Sequence, residues 1–181
     1  MYAVALMVGG KAKAEVAALQ ARYARFMRYT IAPHVTVQYP FTLMTDTGVV
    51  EARLAEVARR TKPFWVVFDG VRYWEGANNV AYVAVRDRAP VFDLHVTVKQ
   101  ALEGLAKGDA TYDLANFTPH MTIGERIPDS ALAEVKKDLS ACEAKYRVRM
   151  ASFTLFAAEP DPRWETWKAA RVFRFGEAGD R

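Results

Sequence analysis

Two segments of the chain repeat one pattern, in which Pro and His precede an apolar residue, Thr and a second apolar residue. They are residues 33–37 (Pro-His-Val-Thr-Val) and residues 119–123 (Pro-His-Met-Thr-Ile). Alternate residues of a β-strand point to the same face, so each His would stand about 7 Å from its Thr along the strand. A fold that brings the two strands side by side would therefore hold two imidazoles and two hydroxyls around one small pocket.

The hydrophobic pattern predicts the same order of elements in both halves of the chain. The first half predicts strands at 3–8, 34–39 and 64–68, separated by a helix with an apolar stripe from Val16 to Met27 and a helix carrying Val50, Leu54 and Val57. The second half predicts strands at 80–85 and 120–124, helices at 90–107 and 129–141, and further strands from 147 onward. The repeat indicates an α+β fold with a pseudo-twofold axis. In each half a crossover helix would pack on one face of a sheet and leave the other face to form a cleft.

Composition restricts the class of protein. The chain has 181 residues, of which 51% are hydrophobic, and this is enough for one compact domain; we expect it to span residues 1–176, with a disordered tail at 177–181. No apolar run is long enough for a membrane span, so we expect a cytoplasmic protein without a membrane partner. The net charge of +4 favours an anionic ligand only weakly. The single cysteine, Cys142, excludes a disulfide framework and a cysteine-based zinc site.

A third His-x-Thr tripeptide, His95-Val96-Thr97, lies in a different context. Leu94 replaces the proline, and the apolar residues around it recur with a helical period. Residues two apart on a helix point in nearly opposite directions, so His95 and Thr97 would not share a face. We therefore predict a helix here, with His95 at the margin of its buried stripe.

Two histidines and two threonines in one pocket suit chemistry at a phosphodiester. Imidazole has a pKa near 6.5, so one His can be neutral and accept a proton while the other is protonated and donates one, without a metal ion or another cofactor. Threonine hydroxyls can hold the nonbridging oxygens of the transition state. The chain has no Gly-x-Ser-x-Gly elbow, Walker loop or Rossmann fingerprint, and its histidine spacing does not favour a metal site.

With its two motifs, His34-Val35-Thr36 and His120-Met121-Thr122, the chain resembles the 2H phosphoesterase superfamily and, within it, the 2′-5′ RNA ligase and cyclic phosphodiesterase group. The resemblance implies two similar α+β lobes with sheets and outer helices, and the histidines facing each other across a central groove. It implies a metal-independent enzyme that acts on a 2′,3′-cyclic phosphate or a 2′-5′ linkage of RNA or a nucleotide. The catalytic residues would be His34, Thr36, His120 and Thr122. We predict that His120 activates water and that His34 protonates the leaving oxygen.

Substrate contacts are predicted from residue type and position. Tyr39 and Phe41 follow the first motif and could stack on a base, and Arg126 follows the second motif and could neutralise a phosphate. Further candidates of the same two types are Trp74, Phe156, Arg163, Trp164, Trp167 and Lys168. Arg126 closely follows the second motif, where the ligase members commonly carry a basic residue, but the intervening Gly124-Glu125 pair departs from their pattern.

A second hypothesis has the same pocket without catalysis. Aromatic residues and a positive net charge would equally suit a protein that binds RNA or a nucleotide and does not convert it. Turnover distinguishes the two hypotheses. The sequence does not indicate an oligomeric state.

Overall fold

The chain is described from a computed structural model that covers residues 1–27, 31–108, 114–158 and 167–176. Four helices and nine strands lie in these ranges. The helices are α1 (Gly10–Arg22), α2 (Thr47–Arg60), α3 (Ala89–Ala101) and α4 (Asp129–Leu139). The strands are β1 (Tyr2–Met7), β2 (His34–Leu43), β3 (Phe64–Trp74), β4 (Asn79–Val85), β5 (Ala106–Gly108), β6 (His120–Ile127), β7 (Lys145–Met150), β8 (Ser152–Ala158) and β9 (Trp167–Arg174). The predicted tail at 177–181 lies outside the described residues.

The strands form two sheets, one in each lobe. The five-stranded sheet of the first lobe has the order β5-β2-β1-β8-β9, and the four-stranded sheet of the second has the order β6-β4-β3-β7. All strand pairs among the described residues are antiparallel. The predicted α+β fold with two lobes is therefore confirmed.

Each lobe takes its helices from both halves of the chain. Helices α2 and α3 contact each other, and they pack on the first lobe through β9 and β2 respectively. Helix α1 packs on β6 and β7 of the second lobe, and Arg22 of α1 forms an ion pair with Asp138 of α4. The crossover helices α1 and α3 thus leave one lobe and cover the sheet of the other, which ties the two lobes together.

Two details differ from the sequence prediction. The strands joined through α1 and through α3 are antiparallel, whereas a crossover connection predicts a parallel pair. The helix predicted at 90–107 ends at Ala101, because Gly104 adopts a left-handed conformation with φ of +71°, and the chain then enters the short strand β5.

The apolar core lies between each sheet and its helices. In β2, Val35 and Val37 are fully buried, while the alternating residues His34 and Thr36 are half-buried and face the other way. In β6, Met121 and Ile123 are fully buried in the same manner. Burial of the apolar side chains, worth about 2 kcal/mol for each, therefore fixes the opposite faces of the two strands toward the groove. No described helix is long and apolar enough to cross a membrane.

The third His-x-Thr tripeptide lies on α3, as predicted, but His95 is not at the margin of the buried stripe. Its side chain is 0% exposed and stacks on the ring of Phe117, with ring centroids 4.1 Å apart. Its Nδ1 lies 2.7 Å from the carbonyl oxygen of Val37, and its Nε2 accepts a hydrogen bond from the backbone N–H of Leu114. Both ring nitrogens are therefore paired, which is why a polar ring can occupy the core.

We expect His95→Ala to lower the free energy of unfolding by about 3 kcal/mol, because it leaves a cavity and two unpaired backbone groups. Urea denaturation of the variant measures the change. The matched control is Thr97→Ala on the same helix, whose side chain is exposed; its effect should stay within about 0.5 kcal/mol. Equal effects of the two substitutions would contradict the central position of His95.

Candidate active site

His34 and His120 occupy equivalent positions in the two lobes. Each is the first residue of its strand, β2 or β6. In the paired strand, His34 lies opposite Met7 and His120 lies opposite Ala84. Strands β2 and β6 contact each other across the boundary between the lobes. The two histidines therefore meet where the lobes join.

The two motifs form the wall of one cavity. This cavity has a volume of about 400 Å³, and its lining includes His34, Thr36, His120 and Thr122. The structure thus brings together the four residues that the sequence predicts as catalytic. The side chain of Gln20 donates a hydrogen bond to the carbonyl oxygen of Thr122, with an N–O distance of 2.8 Å, and ties the second motif to α1.

The backbone fixes both imidazole rings in the same way. Nδ1 of His34 lies 2.9 Å from the carbonyl oxygen of Ala32, and Nδ1 of His120 lies 2.8 Å from that of Thr118. A carbonyl oxygen can only accept, so each Nδ1 carries the hydrogen. In the neutral ring, Nε2 then keeps its lone pair and can accept a proton. Both histidines are therefore oriented for proton transfer through Nε2.

A β-bulge follows each motif at the same place. On β2, Thr36 and Gln38 lie opposite the adjacent residues Ala5 and Val4 of β1, so one residue of β2 is extra. The pairing of β6 with β4 contains the same irregularity directly after the second motif. An extra residue on one strand reverses the alternation of side chains beyond it.

The bulges change which side chains enter the cavity. With strict alternation, Tyr39 and Glu125 would point to the face opposite Thr36 and Thr122. The structure places both Tyr39 and Glu125 in the cavity wall. The cavity therefore has an aromatic side chain on one lobe and a carboxyl group at the equivalent position of the other.

Aromatic rings surround the two histidines unequally. Trp74 of β3 and Phe156 of β8 hold equivalent positions in the two lobes, and both line the cavity. The ring of Trp74 meets the ring of His120 edge to face, with centroids 4.6 Å apart. The ring of Tyr82 contacts that of His120 as well, with centroids 5.4 Å apart. The residue equivalent to Tyr82 in the first lobe is Ala5, so His120 has the more aromatic surroundings.

Burial lowers the pKa of both histidines below the usual 6.5. For His34 the loss of solvation outweighs the opposing effect of the hydrogen bond to the carbonyl of Ala32. For His120 the loss of solvation is again the largest cause, the hydrogen bond to Thr118 opposes it, and the nearby charge of His34 lowers the pKa further, to about 4. The two rings are therefore close enough to influence each other, and in the free protein a second proton is strongly disfavoured.

The structure does not bring every predicted contact residue to this cavity. Phe41 is only 3% exposed and lines a separate cavity beside α3. A second register shift of the β1–β2 pair, between Val4–Gln38 and Tyr2–Phe41, reverses the alternation again and leaves Phe41 buried on the other side of the strand. Arg126 is exposed, has a φ of +54° and lies beside the turn before β4, outside the cavity. Trp167 lines the cavity that contains the two histidines, and Lys168 does not. The remaining candidates, Arg163 and Trp164, lie outside the described residues.

The sequence does not predict the contact of Tyr82 with His120 or the places of Asn78 and Glu125 in the cavity wall. Tyr82 shares a face with Ala84 in the strand predicted at 80–85, but the sequence does not show that this strand pairs with the second motif. Across the described part of the chain, no three His, Cys, Asp or Glu side chains form a group that could hold a metal ion.

The pKa of His120 can be tested directly by NMR. We expect its imidazole signals in the free protein to titrate near pH 4, and inorganic phosphate to raise that pKa because an anion stabilises the charged ring. In His34→Gln the pKa of His120 should rise, because the neighbouring charge is lost. With three histidines in the chain, single substitutions assign the signals. A value near 6.5 for His120 in the free protein would contradict the burial that we describe.

Two relatives named as candidate phosphoesterases match most of the chain. The one from Bacillus cytotoxicus is 24% identical over 148 residues, which covers 81% of each chain. The one from Bacillus cereus is 26% identical over 151 residues, which covers 83% of each chain.

Solved structures share the fold. A Thermus thermophilus protein superposes with a TM-score of 0.66 at 18% identity and covers 97% of this chain and 98% of its own. Escherichia coli LigT without a ligand gives a TM-score of 0.64 at 14% identity, covering 97% of this chain and 96% of its own. LigT in complex with 3′-AMP gives a TM-score of 0.62 at 17% identity and covers 96% of this chain and 97% of its own.

A family model gives the assignment that these likenesses suggest. The model of the 2′-5′ RNA ligase superfamily matches residues 9–173, a range that contains both His-x-Thr motifs and nearly all of both lobes. The chain therefore belongs to the 2′-5′ RNA ligase superfamily of 2H phosphoesterases.

Proposed function

We propose that this chain is a phosphodiesterase that acts without a metal ion on a 2′,3′-cyclic phosphate or a 2′-5′ linkage of RNA or a nucleotide. One observation carries the proposal: two imidazoles with the same backbone-fixed orientation line a single cavity with two threonines. In-line displacement at phosphorus needs a base on one side and an acid on the other. Two histidines on opposite lobes supply this pair.

The two histidines take different roles. His120 is the general base that removes a proton from the attacking water, because burial and the nearby charge of His34 lower its pKa to about 4 and keep it neutral. His34 is the general acid that protonates the leaving oxygen. The water oxygen bonds to phosphorus as the bond to the leaving oxygen breaks, and the two proton transfers leave the pair with one proton in total. The protons return to their original sites through solvent.

The threonines stabilise the transition state. Thr36 and Thr122 lie on the same strand faces as the histidines and line the cavity with them. A hydroxyl group can donate a hydrogen bond to a nonbridging oxygen, where negative charge accumulates. Because each motif supplies one hydroxyl, the phosphate is held from both lobes.

The cavity suits a nucleotide. Its volume of about 400 Å³ lies in the usual range for a small-molecule site, and Tyr39, Trp74 and Phe156 provide rings that can contact a base or a ribose. LigT, which shares the fold, was solved in complex with 3′-AMP. This complex supports a nucleotide or an RNA end as the substrate of our chain.

Substitution of the three His-x-Thr tripeptides tests the proposal. We expect His34→Ala and His120→Ala each to lower kcat by about 10²- to 10⁴-fold on a 2′,3′-cyclic nucleotide, because each removes one proton-transfer group. Thr36→Val and Thr122→Val should each cost about 10²-fold through the loss of one donor. The matched control is Thr97→Val on α3, which should leave kcat unchanged.

The assay also distinguishes the enzyme from a binding protein. A protein that binds a cyclic nucleotide in titrations but yields no product in prolonged incubation would contradict the enzymatic function and favour the second hypothesis. Identification of the product isomer by chromatography shows which oxygen leaves.

A further inference from the structure

The face of the second sheet that carries His120 continues past the cavity to the edge strand β7. Residues directly opposite each other in paired strands share a face, and so do alternate residues along one strand. His120 lies opposite Ala84 of β4, and Arg86, which follows the last residue of β4, donates its N–H to the carbonyl of Val67 on β3. Val67 in turn lies opposite Arg147 of β7. One continuous surface therefore leads from His120 to Arg147.

The far end of this surface is aromatic and basic. Trp65 is 47% exposed, and the guanidinium of Arg147 lies 4.1 Å from the centroid of its ring. Arg149 lies directly opposite Trp65, and Lys145 lies opposite Asp69 on the same face. Asp69 forms an ion pair with Arg86, so that carboxylate is already paired. We call the surface formed by Trp65, Arg147 and Arg149 the β7 face.

The part of this surface beside the cavity is also aromatic. Trp74 and Tyr82 stack on each other with centroids 4.1 Å apart, and both contact His120. Arg72 of β3 lies opposite Tyr82 and so belongs to the same face. Aromatic and basic side chains therefore lie at both the pocket end and the β7 end of this surface, and the Asp69–Arg86 ion pair lies between them.

The corresponding face of the first lobe is different. Phe156 and Thr154 lie on the groove face of β8. Phe156 lies opposite Ala169 of β9, and Thr154 lies opposite Val172. Thr154 is buried and Val172 is exposed. Among the described residues 169–174 of β9, Arg174 is the one basic residue on this face. The two lobes thus present one mainly apolar face and one aromatic and basic face to the groove.

We propose that the β7 face binds the single-stranded RNA that continues from the reacting phosphate. The inference rests on the proposed function and narrows its substrate to an RNA end rather than a free mononucleotide. Charge complementarity favours this occupant, because arginines neutralise phosphates and an exposed tryptophan can stack a base of any identity. From β6 to β7 there are three inter-strand spacings, about 14 Å, so the surface accommodates a chain of a few nucleotides.

Two variants and two substrates test the proposal. Fluorescence anisotropy measures the binding of an RNA of about six nucleotides that ends in a 2′,3′-cyclic phosphate, and steady-state kinetics follows both this RNA and a 2′,3′-cyclic mononucleotide. Trp65→Ala should weaken RNA binding about tenfold, because one stacked base is lost. Arg147→Gln/Arg149→Gln should reduce the slope of log Kd against log salt by about 1.4, since two phosphate contacts are lost. The control is Arg53→Gln, an exposed residue of α2 on the first lobe.

The outcomes separate this inference from the proposed function. The expected result is a higher KM or Kd for the RNA in both variants, with kcat/KM for the cyclic mononucleotide unchanged and the control like the unsubstituted protein. Equal RNA binding by all of these proteins would overturn the proposed role of the β7 face in RNA binding and would leave the proposed catalytic function untouched. Loss of mononucleotide turnover together with RNA binding would show that the variants disturb the pocket, and would also overturn it. Failure of the unsubstituted protein to convert either substrate would instead reject the proposed function.

Discussion

The structure depends on two bulged antiparallel strand pairs with the same register. β1 with β2 and β4 with β6 each place a histidine at the start of a strand, a threonine two residues later, and an extra residue directly after it. The buried valines of β2 and the buried Met121 and Ile123 of β6 fix the orientation of both pairs. Because a slip of one residue would turn every side chain to the opposite face, core packing and the site are specified together.

The surroundings of the two histidines depart from the symmetry of the two lobes. The backbone holds the two imidazoles alike, but Trp74 and Tyr82 pack on His120, whereas Ala5 stands at the place equivalent to Tyr82. Burial lowers the pKa of both rings, and the nearby charge of His34 lowers the pKa of His120 further. In the proposed mechanism, His120 is accordingly the base and His34 the acid. The β7 face belongs to the same lobe as His120, so the proposed RNA path lies on the lobe with the more aromatic surroundings.

Local features of the fold could be predicted from the sequence, and features that depend on distant pairing could not. The alternation around His34 and His120 predicts both strands, and the apolar stripe around His95 predicts α3. The exchange of strands and helices between the lobes, the two bulges and the place of Tyr82 depend on non-local pairing. The sequence predicts His95 at the margin of the buried stripe because a polar residue ordinarily avoids the core, and only the structure shows the partners of its two ring nitrogens.

The dependence of kcat/KM on pH tests most directly whether the two histidines act as one acid and base pair. The base must be neutral and the acid protonated in the free enzyme, and burial lowers the pKa of both rings below 6.5. Activity should therefore follow a bell-shaped curve whose maximum lies on the acid side of pH 6.5. It should fall at higher pH as His34 loses its proton, and at lower pH as His120 gains one. A rate that rises steadily toward alkaline pH, or that is constant through this range, would contradict the account.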